Sequence, residues 1–544
     1  MYDVVLRFCE GLDPNSLVPS QLPLLIEFLC SYANSEQLEK LTVPNAKGTP
    51  IPPFPAEVED VDASLRSTID TVYLLTRCLY YQSLPPPRYL KLILRKCNQE
   101  WTESNYNAIV TSYRRFTRRI DLQLLGAFEQ YAKQHHVTMQ AIEVSSFALT
   151  EEDRARYYAL SSFSNAEIRL RLYLIQYYNA QLKKVVHLVD LGGSKESDAN
   201  TLGSYISLLT GYIFPSVKEN FLELSIVQTV YQGKDSCPVV ELDNRRVFTD
   251  MERSEYDEED KNSMTSQCTF AQLYRQMQKY PVDVLRANLD ARDRLLAVKN
   301  KGEQGLDWGG LYHDAIERWW AMWRCVRRSV EDLFSDHIDL FLPCPNSRTE
   351  EQSDEAIYVP NPKYRESGDA LSMWERLFGL TRRYTFVGNL IGISLRTKQL
   401  MSIELCSAIW KTIVGDVITV DDVERVDSGF MNSLRQVKEY QESDGDEEFE
   451  YIFGLTFAVQ DSAGNEVELL PSGSQVPVTL ENRTKFYDLA LEYRMSEWKQ
   501  AAEAIAAGVY ALVPQKALSL FTWEQLERAV KGVPEVSVVV GAYG

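Results

Sequence analysis

Apolar residues recur three and four positions apart through most of the first 240 residues, a spacing that gathers into one face only on an α-helix. LPLLIEFLCSYA at 22–33, SLRSTIDTVYLLTRCLYYQSL at 64–84 and SNAEIRLRLYLIQYYNAQLKKVVHLV at 164–189 carry it most clearly. Proline-rich KGTPIPPFPAEVEDVD at 47–62 connects the first two, and Pro85, Pro86 and Pro87 stop the second, because proline has no N–H to continue the ladder. Ser164 or Asn165 offers a side-chain oxygen to cap the third. With further helical stretches at 107–136 and 201–230, residues 1–240 read as a helical region with room for two subdomains. No fixed-length repeat runs through it, so nothing supports a regular solenoid.

The pattern changes past residue 240. VVELDNRRVF at 239–248 reads as extended, and the charged, polar run around 241–264 marks a linker at the surface. Residues 265–544 then mix helices with short strands in no regular alternation. CTFAQLYRQMQKY at 268–280 is helical, and RDRLLAVKN at 292–300 ends in an extended run. EYIFGLTFAVQD at 450–461 and NEVELL at 465–470 alternate as strands around the turn signal DSAGNE, which predicts a hairpin. Thr479 can cap the helix that follows, with Glu481 and Asn482 in its first turn. The expected fold class is therefore mostly α with a minor β component.

A formal charge of −20 argues against any broad contact with nucleic acid or anionic lipid, which needs a basic surface. No run of 18 uncharged apolar residues is present, so no membrane span is expected. The acidic N-terminus, MYDVVLRFCEGLD, lacks the basic start of a signal peptide, and the expected location is cytoplasmic or nuclear. The nine cysteines show no Cys-x-x-Cys spacing and the five histidines are scattered, so no metal and no cofactor is expected. The thiols read as reduced and mostly buried; Cys344, between two prolines, is the one expected to be exposed.

GEQGLDWGGLYHD at 302–314 looks at first like a phosphate cradle. It lacks both G-x-G-x-x-G and a Lys-Ser or Lys-Thr pair, and Glu303 and Asp307 would repel phosphate. Gly309 and Gly310 instead permit a tight strand-to-helix reversal, with Asp307 accepting backbone N–H bonds to pin it. The tryptophans at 319, 320 and 323 then form a packing face on the following helix.

That loop, followed by a helix, resembles the start of a HECT-type ubiquitin ligase domain. LFLPCPN at 340–346, YVPNP at 358–362 and YTFVGNLIGISLRTKQLMSIELCSAIWKTIVGD at 384–416 resemble the segments that come next in the large HERC-like branch of that family. TVDDVERVDSGFMNSLRQV at 419–437, EVELLPSGSQVPVTLENRTKFYDLALEYRM at 466–495 and AIAAGVYALVPQKALSLFTWEQLERAVKG at 504–532 continue in order. The resemblance implies that 265–544 is the domain's N-lobe, a large helical subdomain plus a small α/β subdomain. It also implies transthiolation: ubiquitin arrives as a thioester on an E2 enzyme, passes to a ligase cysteine, and ends on a lysine of a protein substrate. Such a step needs a thiolate nucleophile.

By the same resemblance the small subdomain carries the E2 groove, within about 410–480. Leu434, Val437 and Tyr440 lie at helical spacing there, and Phe449, Phe453, Leu455 and Phe457 alternate along the next segment, so these seven are the candidate E2-binding residues. Two departures stand out. Tyr312-His313-Asp314 replaces the Arg-Glu that family members often carry after the glycine turn. The last cysteine is Cys406, inside the matched helices, so no catalytic residue is assigned and the acceptor cysteine is expected beyond Gly544. The other class of function open to such a chain is non-catalytic: a helical interaction protein that binds an E2 or a substrate without transferring ubiquitin.

Overall fold

The computed structural model describes residues 63–82, 89, 95, 111, 115–189, 191, 202–231, 233, 237–243, 268–287, 295–301, 322, 325–335, 338, 340–349, 356–362, 370–440 and 446–532. The loop at 302–314, with Asp307, Gly309 and Gly310, lies outside them, as do 22–33 and the prolines at 85–87. The chain divides into two compact units, Met1–Ser225 and Ile226–Gly544. The described parts are mostly helical, with three separate two-stranded sheets as the β component.

The first unit is built on α1 (Ala63–Tyr80), α2 (Arg118–Gln134) and α3 (Asn165–Val185), with α1 and α2 both packed on α3. Ile69, Val72, Phe128, Leu172, Ile175 and Tyr178 fill the interior. Helix α3 starts where Ser164 allows it to. The Ser164 hydroxyl oxygen accepts from the Glu167 N–H at 3.3 Å, and the Glu167 carboxylate accepts from the Ser164 N–H at 2.8 Å. Inside this unit Arg171 forks onto Asp121 with bonds of 2.8 and 2.6 Å, and Tyr212 donates to the same carboxylate at 2.8 Å. All three are buried, so truncating Arg171 or Asp121 breaks a buried ion pair, a strongly destabilising change.

Helix α4 (Pro215–Gln228) contains the division point. In the second unit β1 (Val239–Leu242) pairs in parallel with β2 (Ala297–Asn300), Val240 opposite Val298. Helix α5 (Thr269–Met277) packs on β1, and its Gln276 carboxamide both donates to and accepts from the Glu241 backbone at 2.8 Å. Next, β3 (Phe341–Pro343) and β4 (Tyr358–Pro360) pair antiparallel. Then come α6 (Ala370–Thr397), α7 (Ser407–Val414), α8 (Val420–Val426), α9 (Ser428–Glu439) and α10 (Asp446–Phe453). A hairpin of β5 (Ala458–Gln460) and β6 (Glu466–Glu468) is followed by α11 (Arg483–Ser496), α12 (Lys499–Tyr510) and α13 (Trp523–Lys531).

Helices α6, α7, α12 and α13 form the large helical body. Its closest crossing explains two glycines placed in helix interiors, where glycine is unfavourable. A Cβ on Gly388 would stand 1.9 Å from the Ile505 carbonyl oxygen, and one on Gly508 1.9 Å from that of Thr385. Only glycine lets α6 and α12 come this close.

Three expectations need correction. The strand expected over 450–461 exists only at 458–460, because 446–453 is helical. Thr479 does not cap α11, which begins at Arg483; the Thr479 N–H instead donates to the Asn482 side-chain oxygen at 2.8 Å. Cys344 is buried, not exposed, and its sulfur accepts from the Ser347 N–H at 3.4 Å.

Candidate functional site

Between α8 and α12 the chain builds a core of its own. Leu434 and Val437 of α9, Phe449 of α10, Phe457 and Val459 around β5, Val478, and Phe486 and Ala490 of α11 pack into one buried cluster. Aromatic edges knit it: the Phe449 ring lies 4.8 Å from Phe453 and 5.5 Å from Tyr440, centroid to centroid, and Phe457 meets Phe486 edge-on at 5.7 Å. The hairpin turn is closed by Asp461, whose carboxylate accepts from the Ala463 and Asn465 N–H groups at 2.8 Å, while Gly464 takes a φ of +89°.

This packing sorts the seven candidates for an E2 groove. Leu434, Val437, Phe449 and Phe457 are buried in the cluster, so a partner protein cannot touch them, and their assignment to a groove is corrected to core. The apolar stripe of α9 is spent on the subdomain's own interior. Tyr440, Phe453 and Leu455 are half-buried at its edge and present surface as well as packing inward.

Two apolar residues were missed. Tyr451 is 90% exposed and Ile452 50% exposed. On a helix, positions four apart share a face, which puts Phe449 and Phe453 together. Tyr451 falls on the opposite side of α10 and Ile452 on its flank, four and three residues before Leu455. The spacing of 449 and 453 held that signal, but alternation through 453, 455 and 457 masked it. Exposed acids adjoin the patch, Glu439 beside Tyr440 and Glu450 beside Tyr451.

Cys78, Cys268, Cys325, Cys344 and Cys406 are buried and Cys237 is half-buried; Cys9, Cys30 and Cys97 lie outside the described residues. Burial pushes the thiols of Cys325 and Cys406 up to about 12, so neither is a thiolate at neutral pH. Among the described residues no three His, Cys, Asp or Glu side chains converge to hold a metal ion, and no helix is long and apolar enough to cross a membrane.

The second unit thus combines a helical body with a small, separately cored α/β subdomain that exposes Tyr451 and Ile452. Comparison points to a family: the family model described as HECT-domain (ubiquitin-transferase) matches residues 328–540, and this part of the chain is similar to the HECT-domain ubiquitin-ligase family. The chain is 28% identical over 371 residues to "E3 ubiquitin-protein ligase HERC2" of Mus musculus, and 27% identical over 371 residues to that of Homo sapiens. Each alignment covers 68% of this chain and 7% of the relative. It is also 24% identical over 327 residues to "E3 ubiquitin-protein ligase TOM1-like" of Neurospora crassa, covering 59% of this chain and 6% of the relative. The chain thus spans less than a tenth of the length of these curated relatives. The Gly302–Asp314 loop precedes the matched residues.

Proposed function

We propose that residues 428–496 dock a ubiquitin-loaded E2 enzyme, as part of a HECT-type transferase that passes ubiquitin through a ligase cysteine to a lysine of a protein substrate. The observation that carries this reading is the exposed pair Tyr451 and Ile452. They precede half-buried Phe453 in sequence, with Leu455 just beyond it, on a subdomain whose buried cluster is drawn from residues 434–490. Apolar and aromatic anchors inside a polar rim are the usual energetic centre of a protein interface. The flanking acids Glu439 and Glu450 suit a basic E2 surface and would speed association in a salt-sensitive way. The matched family and its relatives, each named as an E3 ubiquitin-protein ligase, suggest the chemistry.

Burial of five described thiols favours a division of labour in which these segments hold the E2 and do not themselves receive ubiquitin. The docking test is calorimetric titration of an E2 into the wild-type chain and into Tyr451→Asp/Ile452→Asp and Tyr440→Asp variants. Loss of an anchor should weaken binding at least about tenfold, or about 1.4 kcal/mol. The double variant, on exposed positions, should melt as the wild type does. Equal affinities for all three proteins would remove this surface from the docking role.

A further inference from the structure

The docking subdomain joins the large helical body at two chain crossings, Asp427–Ser428 on the way in and Glu497–Trp498 on the way out. One side chain closes both. Arg494 is 2% exposed, and its Nη2 donates to Asp427 Oδ2 at 3.1 Å and to the Gln460 carbonyl at 3.0 Å. Its Nη1 donates to Glu497 Oε2 at 2.8 Å and to the Ser462 hydroxyl at 3.2 Å, and its guanidinium lies 4.4 Å from the centroid of Phe430. The two carboxylates are themselves engaged: Asp427 Oδ1 caps α9 by accepting from the Phe430 N–H at 2.9 Å, and Glu497 Oε1 accepts from the Ser462 N–H at 2.7 Å.

A second lock sits on the incoming crossing. Asn346, in the short helix Pro345–Thr349 of the preceding segment, accepts from both the N–H and the hydroxyl of Ser428 at 2.8 and 2.9 Å. Its Nδ2 donates to the Glu424 and Arg425 carbonyls at the end of α8, at 3.0 and 2.9 Å.

The subdomain's apolar core lies wholly within 434–490, so neither lock is needed to assemble it. Buried ion pairs are weak stabilisers compared with apolar residues of similar size, and their best-attested use is to fix one geometry among several. A planar fork that ties both crossings and the hairpin turn suits that use.

We propose that Arg494, with Asp427 and Glu497, is a clasp that fixes the direction in which the docking subdomain faces relative to the large helical body. Resting on the docking reading, this makes Arg494 a positioning residue: it sets where a bound E2 points without contacting it. The subdomain turns about the two crossings once the clasp is gone, while its own surface stays intact.

The test uses the full chain with spin labels on p-acetylphenylalanine introduced at the exposed Glu466 and Glu503, one on the hairpin and one on α12. Asp427→Asn/Arg494→Met/Glu497→Gln removes the clasp without leaving an orphan charge; Arg494→Lys, which keeps the charge but cannot span both crossings, serves if the triple variant does not fold. Expected are a single narrow distance distribution for the unmutated clasp, a broadened or shifted one for the variant, retained helix content, and E2 affinity within about twofold in both proteins. A folded variant with the wild-type distribution overturns the clasp, as does a tenfold loss of E2 affinity at unchanged distance. Failure of the wild-type chain to bind any E2 would overturn the docking reading alone, since the distances report on the clasp independently.

Discussion

Replacing Phe449 with alanine separates a core role from a surface role for the aromatic cluster of the small subdomain. The ring is fully buried, within 4.8 Å of Phe453 and 5.5 Å of Tyr440 by centroids, and packs in one cluster with Leu434, Val437 and Phe486. Truncating a buried phenylalanine costs about 3–5 kcal/mol, from lost transfer free energy plus the cavity left behind. Whole domains are stable by only about 5–15 kcal/mol, so a subdomain of this size would be left near its unfolding threshold. The assay is hydrogen exchange read by segment, because a chain of two units need not unfold in one step. Amides of α9 and α11 should lose protection by a factor of about 10² or more, while those of α6 and α12 keep theirs. E2 affinity, expressed per folded molecule at low temperature, should be unchanged. Full protection in α9 together with lost E2 binding would refute the reasoning, because the ring would then face the partner.

Two further outcomes are expected. Gly388→Ala places a methyl group 1.9 Å from the Ile505 oxygen, an overlap with backbone that no rotamer change relieves; a loss of about 3 kcal/mol or more is expected, read as a lowered urea midpoint, and a neutral result would mean that α6 and α12 are farther apart in solution. Asp422 is the second site. Burial alone would raise its carboxyl, but bonds from Lys411, the Thr419 N–H, Ser407 and the Thr419 hydroxyl outweigh it and hold the group below the usual carboxylate range. A depressed folded value stabilises above the unfolded pKa of about 3.9 and fades as pH falls through the folded one. Asp422→Asn should therefore cost about 1.5–3 kcal/mol near neutral pH, with the gap to wild type closing below about pH 4; a gap constant down to pH 2 would contradict it.

Local signals in the sequence read well. Ser164 with Glu167 three residues later is a complete capping box in the structure, and the stripe Leu434–Val437 does lie on a helix. The segment around 449–457 reads less clearly because its aromatics satisfy two periods at once: Phe449 and Phe453 are four apart, as a helix needs, while Phe453, Leu455 and Phe457 are two apart, as a strand needs. Periodicity also cannot say whether an apolar stripe faces the chain's own core or a partner, which is why four of seven groove candidates turned out to be interior. The exposure of Tyr451 and Ile452 follows from the helical spacing of Phe449 and Phe453, which the strand-like alternation at 453, 455 and 457 obscures. Arg494 and Asn346 are legible only in three dimensions, since their partners lie up to 67 and 82 residues away.

At Gly388 and Gly508 main chain meets main chain, with no side chain between that could change rotamer and let one helix slide. The 28-residue α6 and its partner α12 therefore behave as a welded girder about 42 Å long. Any bending between that girder and residues 428–496 is left to the two crossings at 427–428 and 497–498, where Arg494 bonds to Asp427 and Glu497.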